Sequence, residues 1–301
     1  MFYKYRTKSN ELIVLELLNR RMSLTNKVKQ HYYSQKKGYE GEVMFDSFTK
    51  KLHCECLILN DLLFEIKNTT FQIDSLIITA AMIYFYEVKN FEGDYYYDSD
   101  KLFKKPELEV INPLHQLSRS ESLLRQLFLN IGYNLPINAF IVFINPIFTL
   151  YQAPLDKPII FPTQVKQHMT TLNKIPSKLT EKHKRMADHL LSLHITDSPY
   201  KQIPKYDYRQ LRKGITCAKC HSFSVTLESR KLVCHECKNE ELVADAVIRS
   251  VNEFRILFPN ERITTNIIHE WCQIIPSQKR IRRIISSNFN KVGDHRWSYY
   301  E

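Results

Sequence analysis

An α/β (α+β) core followed by smaller modules is the fold class that this sequence predicts. Three observations carry the expectation. Apolar strand-like runs alternate with amphipathic helical runs between residues 38 and 165, two C-x2-C pairs stand close together downstream, and three short helical runs with a hairpin pattern close the chain. The 301 residues suffice for two or three domains. With 44% hydrophobic and 25% charged residues, the composition supports a buried core.

The elements follow in chain order. In the opening, "MFYKYRTKSNELIVLELLNRR", Glu16 interrupts the apolar run and no small-residue cleavage site follows. It is a poor signal peptide, and a cytoplasmic location is expected. No run of about 18 apolar residues occurs, so no membrane span is expected. Residues 11–30 predict a helix. "GYEGE" (38–42) leads into "VMFDSFTKKL", where Met44, Phe48 and Leu52 recur every four residues and mark a helix with one buried face. Gly38 and Gly41 predict a flexible start to that helix. "CECLILNDLLFEI" predicts a strand with a turn at Asn60 and Asp61. "FQIDSLII" and "MIYFYEVKN" predict two buried strands. Residues 111–132 predict a helix through Leu117, Leu124, Leu127 and Phe128. "INAFIVFINP" and "KPIIFP" predict short buried strands, each stopped by proline. From Thr163 to His194 the pattern is helical and polar, with Lys166, Lys174, Lys178, Lys182, Lys184 and Arg185, and predicts a solvated connector. "TDSPYKQIPKYDY", with its prolines, predicts a linker.

Asp74, Glu87 and Lys89 stand out because they lie in the two most apolar strands. Burying an unpaired charge is costly, so such charges are paired or hold a metal. Strand side chains alternate, which places Glu87 and Lys89 on one face with Ile83 and Phe85. A two-residue loop at Ala80 and Ala81 sets Asp74 opposite Glu87, with Cβ atoms about 4.5–5.5 Å apart. That spacing suits a hard divalent cation with oxygen ligands, Mg²⁺ or Mn²⁺. A structural ion pair at a sheet edge is the alternative.

"CAKC" (217–220) and "CHEC" (234–237) have the spacing of a tetrahedral Zn²⁺ site made by Cys217, Cys220, Cys234 and Cys237. "FSVTLESRKLVC" between them alternates as a hairpin does, which makes a zinc ribbon. Cys54, Cys56 and Cys272 are expected as buried thiols. In the last third, "DAVIRSVNEFRILFP" has Val247, Val251 and Phe254 at helical spacing. "TTNIIHEWC" is a short helix capped by Thr264 or Thr265, and "PSQKRIRRIISSNF" is another, capped by Ser277. In the latter, Ile281, Ile284 and Ile285 point inward and leave Lys279, Arg280, Arg282 and Arg283 outside. "NKVGDHRWSYY" reads as two short strands around Gly293 and Asp294. Helix, helix, basic helix and hairpin is the order of a winged helix, with Arg296 on the wing. A protein-docking bundle with a solvated basic face is the alternative.

The strand motifs carry a resemblance. "QIDSLII" followed by "YEVKN" resembles the D…(D/E)-x-K signature of restriction-endonuclease-like nucleases. More narrowly, the chain is similar to the NERD, or nuclease-related domain, family over residues 38 to about 150. "GYEGE", "NFEG" and "NPLHQ" (112–116) resemble further motifs of that family, in order. "SNELIVLELL" and a C-terminal cysteine module also resemble longer bacterial members. The resemblance implies a restriction-endonuclease-like core with Asp74 and Glu87 as metal ligands and Lys89 as catalytic lysine. It implies Glu42 as an acidic helper from the first helix and Gln116 as a supporting or substrate contact.

The expected organisation is an N-terminal helical extension (1–37), a nuclease-like domain (38–165), a helical connector and linker (166–212), a zinc ribbon (213–241) and a winged-helix-like module (242–301). The net charge of +11 suits a phosphate-rich partner. With only 6 glycines and neither G-x-G-x-x-G nor G-x-x-x-x-G-K-[ST], a nucleotide-driven motor is not expected. The function that follows is a metal-dependent nuclease acting on DNA. An inactive nucleic-acid-binding protein, or an interaction adaptor in phage defence or stress response, is the alternative. Nucleic acid is the expected partner, a second copy or another protein stays open, and no membrane is expected.

Overall fold

The computed structural model describes residues 1–196, 199–293 and 298–301. The chain opens with β1 (Phe2–Lys4), α1 (Asn10–Arg21) and α2 (Asn26–Thr49). Then follow β2 (Leu57–Ile66), β3 (Thr69–Ile78), β4 (Ile83–Lys89), β5 (Gly93–Asp98), β6 (Lys101–Lys104) and β7 (Leu108–Val110). Next come α3 (Pro113–Asn130), β8 (Ile137–Phe143), β9 (Phe148–Tyr151), β10 (Ile159–Ile160), α4 (Val165–Asn173) and α5 (Glu181–Leu193). The remainder holds β11 (Val225–Glu228), β12 (Lys231–Cys234), β13 (Glu240–Leu242), α6 (Val243–Leu257), α7 (Thr265–Cys272), α8 (Gln278–Asn288), β14 (Lys291–Val292) and β15 (Tyr299–Tyr300). Two compact units result: Met1–Ser9 with Tyr33–Lys201, and Asn10–Tyr32 with Gln202–Glu301.

The first unit is built on a six-stranded sheet in the order β1-β2-β3-β4-β8-β10. β2, β3 and β4 form an antiparallel meander. β8 runs parallel to β4, reached through α3, as a parallel pair requires. The strands are apolar on both faces because both are covered. Leu76, Ile78, Ile83, Phe85, Ile141 and Phe143 pack with Leu117, Leu124, Leu127 and Phe128 of α3. On the other face Ile77, Tyr84, Tyr86, Val88 and Val142 pack with Phe45 of α2 and Val165, Met169 and Leu172 of α4. Each such side chain contributes about 1.5–3 kcal/mol when fully buried. A four-stranded sheet, β7-β6-β5-β9, adds Tyr95, Leu102 and Phe148 to the first of these cores.

Several expectations are corrected here. The helix expected over 11–30 is two helices, broken at residues 22–25. Thr25 begins the second by accepting from the Val28 and Lys29 N–H groups at its hydroxyl and carbonyl, which is how a threonine caps a helix. Gly38 and Gly41 are not a flexible start but lie inside α2. At Gly41 the reason is close approach, since a Cβ there would stand 2.5 Å from the Asn90 Cβ. Asn60 and Asp61 make no turn. β2 is continuous and keeps one register with β3 from Leu57↔Ile78 to Ile66↔Thr69; only the opposed Asp61, at φ 53°, and Asp74 drop out of the ladder. The polar stretch over 163–194 is no solvated connector, because Met186, Ala187 and Leu190 of α5 enter the core and α4 covers the opposite face. Lys166, Lys182 and Lys184 are exposed on these helices, and Lys174 and Lys178 are exposed between them.

In the second unit, α1, α6, α7 and α8 share one core through Leu18, Val247, Val251, Phe254, Ile268, Trp271, Ile281 and Ile285. Thr264 and Ser277 cap α7 and α8 by accepting from the Ile267 and Arg280 N–H groups. The buried Arg21 donates to Glu253 at 2.6 Å and lies 4.1 Å from the Trp271 ring centroid. β11-β12-β13 form an antiparallel sheet, and β14 pairs with β15. Among the described residues no helix is long and apolar enough to cross a membrane.

Candidate functional site

The β3–β4 hairpin positions the charged trio. Its pairs run from Ser75↔Tyr86 to Ile78↔Ile83, the register expected for a loop at Ala80 and Ala81, which the Thr79 N–H to Met82 carbonyl bond closes at 2.9 Å. The ladder ends at Ser75, so Asp74 and Glu87 take the next opposed positions just beyond it. There the Val88 N–H donates to Asp74 Oδ2 at 2.8 Å. Both carboxylates are buried, Asp74 at 7% and Glu87 at 2% exposure. Lys89 Nζ donates to Glu87 Oε1 at 2.7 Å and to Gln116 Oε1 at 3.0 Å. Gln116 arrives there because Asn112 caps α3, its Oδ1 accepting from the Leu114 N–H at 3.0 Å, and Pro113 fills the first helical position.

Glu42 comes from α2, held against Asn90 by the absence of a side chain at Gly41. Among the described residues no hydrogen bond joins it to the trio, though its charge acts on Lys89 and that of Asp74 acts on it. Arg6 Nη1 donates to Glu42 Oε2 at 2.5 Å, Nε and Nη2 donate to Asp46 at 2.9 and 3.0 Å, and Nη2 also donates to the Asp74 carbonyl at 2.8 Å. Sequence reasoning missed Arg6 and Asp46. Asp46 was open to it, one helical turn beyond Glu42. Arg6 was not, since 68 residues separate it from Asp74.

Burial, and then the charge of Asp74, push the Glu42 and Glu87 carboxyls up to about 8. Burial likewise raises Asp74, against the pull of Lys89. Burial works to lower Lys89, but Glu87 and Asp74 outweigh it and hold the ammonium above its ordinary value. The carboxylates therefore resist ionising together while no further cation joins them. Glu87 Oε2 is buried with no hydrogen-bond partner among the described residues. Hard oxygen donors with one lone-pair set unused fit a divalent cation of the Mg²⁺ class. Among the described residues only the four cysteines bring three or more ligand atoms within 4.8 Å of one another, so the carboxylates of Glu42, Asp74 and Glu87 are spread more widely than that.

Residues 37–144 match the NERD family, the nuclease-related domain. The nuclease-related segment takes in Glu42, Asp74, Glu87, Lys89 and Gln116, and leaves out Arg6. No curated protein and no solved structure matches the chain.

Beyond the nuclease-related segment, Cys217, Cys220, Cys234 and Cys237 form the thiol cluster. Cys217 and Cys237 sulfurs are 3.5 Å apart, as are those of Cys220 and Cys234. Four thiolates around Zn²⁺ at about 2.3 Å stand roughly 3.8 Å from one another, so the set fits a zinc ribbon. Both C-x2-C turns close alike: the His221 N–H donates to the Cys217 carbonyl and the Lys238 N–H to the Cys234 carbonyl, each at 3.0 Å. His221 and Lys238 take φ of 60° and 58° to do so. Cys56 and Cys272 are buried and Cys54 is half-buried. On α8, Ile281, Ile284 and Ile285 are buried, Lys279, Arg282 and Arg283 are exposed, and Arg280 is half-buried. Arg296 lies outside the described residues.

Proposed function

We propose that this chain is a metal-dependent nuclease that hydrolyses phosphodiester bonds of DNA. The observation that carries the reading is the meeting of Asp74, Glu87 and Lys89 at the end of the β3–β4 ladder, with Glu87 Oε2 buried and without a partner among the described residues, inside a nuclease-related segment. Asp74 and Glu87 would hold Mg²⁺ or Mn²⁺. Such an ion, when bound, lowers the pKa of a water and offsets charge on a phosphoryl oxygen. Lys89 has three N–H donors; Glu87 and Gln116 take two, leaving one to orient the attacking water. Glu87 and Asp74 keep that ammonium protonated, so Lys89 acts as a donor. Gln116 fixes its direction without adding charge. The four cysteines would hold a structural Zn²⁺, and α8, in a winged-helix-like module, would set Lys279, Arg280, Arg282 and Arg283 against DNA phosphates.

The test is incubation of the purified chain with linear, circular and single-stranded DNA, with and without Mg²⁺ or Mn²⁺. Wild type cleaves only with the ion, Asp74→Ala does not cleave, and Lys89→Ala turns over about 10²–10⁴-fold more slowly. DNA binding without cleavage of any substrate would replace this reading with that of a non-enzymatic DNA-binding protein.

A further inference from the structure

Arg6 enters the candidate site from outside the nuclease-related segment, and its side chain is only 2% exposed. It makes four of the five hydrogen bonds open to a guanidinium: one to Glu42, two to Asp46 and one to the Asp74 carbonyl. That carbonyl is reached where the β2–β3 ladder omits Asp61 and Asp74. Lys4, two residues earlier, donates to the Asn60 and Asp61 carbonyls at 2.8 and 2.7 Å. One short segment thus braces the gap in the ladder and passes Arg6 through to the carboxylates.

A guanidinium stays charged at any working pH, so this is a permanent positive charge. Glu42, Asp46, Asp74 and Glu87 bring four carboxylates to the site, and Arg6 and Lys89 bring two cations. Asp61, whose charge also reaches Glu42 and Asp74, has Lys4 beside it. With all four ionised, two negative charges are left over, which one divalent ion balances. Without Arg6, Glu42 and Asp46, one turn apart on α2, would be a bare oxygen-donor pair next to Asp74.

We infer that Arg6 is a built-in cation that fills the Glu42–Asp46 side of the site, so that the site takes a single divalent ion and Glu42 is not one of its ligands. The inference rests on the metal-dependent reading above. Arg6 acts through Glu42, Asp46 and the Asp74 backbone, and is a positioning residue.

Mn²⁺ bound tightly by the zinc-loaded full chain, counted by electron paramagnetic resonance of the free ion after equilibrium dialysis, tests it. Wild type binds a single Mn²⁺. Glu42→Gln still binds a single one. Arg6→Met gains a second, and Arg6→Lys, which restores the charge, returns to one. Two ions in wild type, or loss of the ion in Glu42→Gln, overturns the inference and leaves the metal site standing. A wild type that binds none overturns the metal reading itself, and this inference with it. A folded Arg6→Met that still binds a single ion likewise overturns the inference, and if that variant does not fold, wild type and Glu42→Gln can still overturn it.

Discussion

Replacing Glu87 by Gln separates a metal ligand from a structural ion pair. Burial and the neighbouring Asp74 hold the Glu87 carboxyl at about 8, against 4.5 for the free side chain. Between those values the folded protein keeps a proton that the unfolded chain has released. Stability without added divalent ion therefore falls as pH rises from about 4.5 to about 8. At pH 7 the span from 4.5 is roughly 2.5 pH units, and at about 1.4 kcal/mol per unit it amounts to up to about 3 kcal/mol. Glutamine keeps an acceptor for Lys89 but cannot ionise, so Glu87→Gln should match wild type at pH 5 and exceed it at pH 8. At about 2–4 °C per kcal/mol, the difference in Tm reaches several degrees. Bound Mn²⁺ reverses the order. At pH 7 an ion at a thousand times its Kd adds about 4.1 kcal/mol to wild type, more than the roughly 3 kcal/mol given up there. Glu87→Gln gains nothing. Melting curves of the zinc-loaded protein at pH 5, 6, 7 and 8, with and without Mn²⁺, decide it. If Glu87→Gln melts well below wild type at every pH and Mn²⁺ stabilises neither, the Glu87–Lys89 pair is structural. Breaking it would then cost about 3–5 kcal/mol.

The other predictions concern separate parts of the chain. Elemental analysis should find about one Zn²⁺ per chain and none after Cys217→Ser, with the second unit loosened, since such a site supplies on the order of 10 kcal/mol of folding energy. Replacing Lys279, Arg282 and Arg283 together by Ala should weaken DNA binding and lower its salt slope by up to about three, measured by titration across ionic strength. Gly41→Ala should cost about 1–3 kcal/mol, because the added Cβ meets Asn90 at 2.5 Å and Ile144 at 3.2 Å. Gly38→Ala, with nothing within 4 Å, should instead gain about 0.5–1 kcal/mol in the same melts.

What could be read from the sequence was what short range controls. Alternation along β3 and β4, with a two-residue loop, is enough to set the register that puts Asp74 and Glu87 in opposed positions. The cysteine spacing is likewise local, because each C-x2-C turn closes on its own carbonyl. So are the caps Thr264 and Ser277, each of which answers an N–H group three residues away. Tertiary structure decided the rest. Gly41 looks like a flexible joint until Asn90, far along the chain, is seen to pack where its Cβ would be. The polar helices over 163–194 look solvated until the sheet offers Met186 and Leu190 a core to enter. Arg6 carries no local sign of its role, since its partners lie 36, 40 and 68 residues away along the chain. Only folding desolvates it between Glu42, Asp46 and the Asp74 carbonyl, and in that buried setting a charge that would be loosely solvated in the free chain becomes fixed at the site.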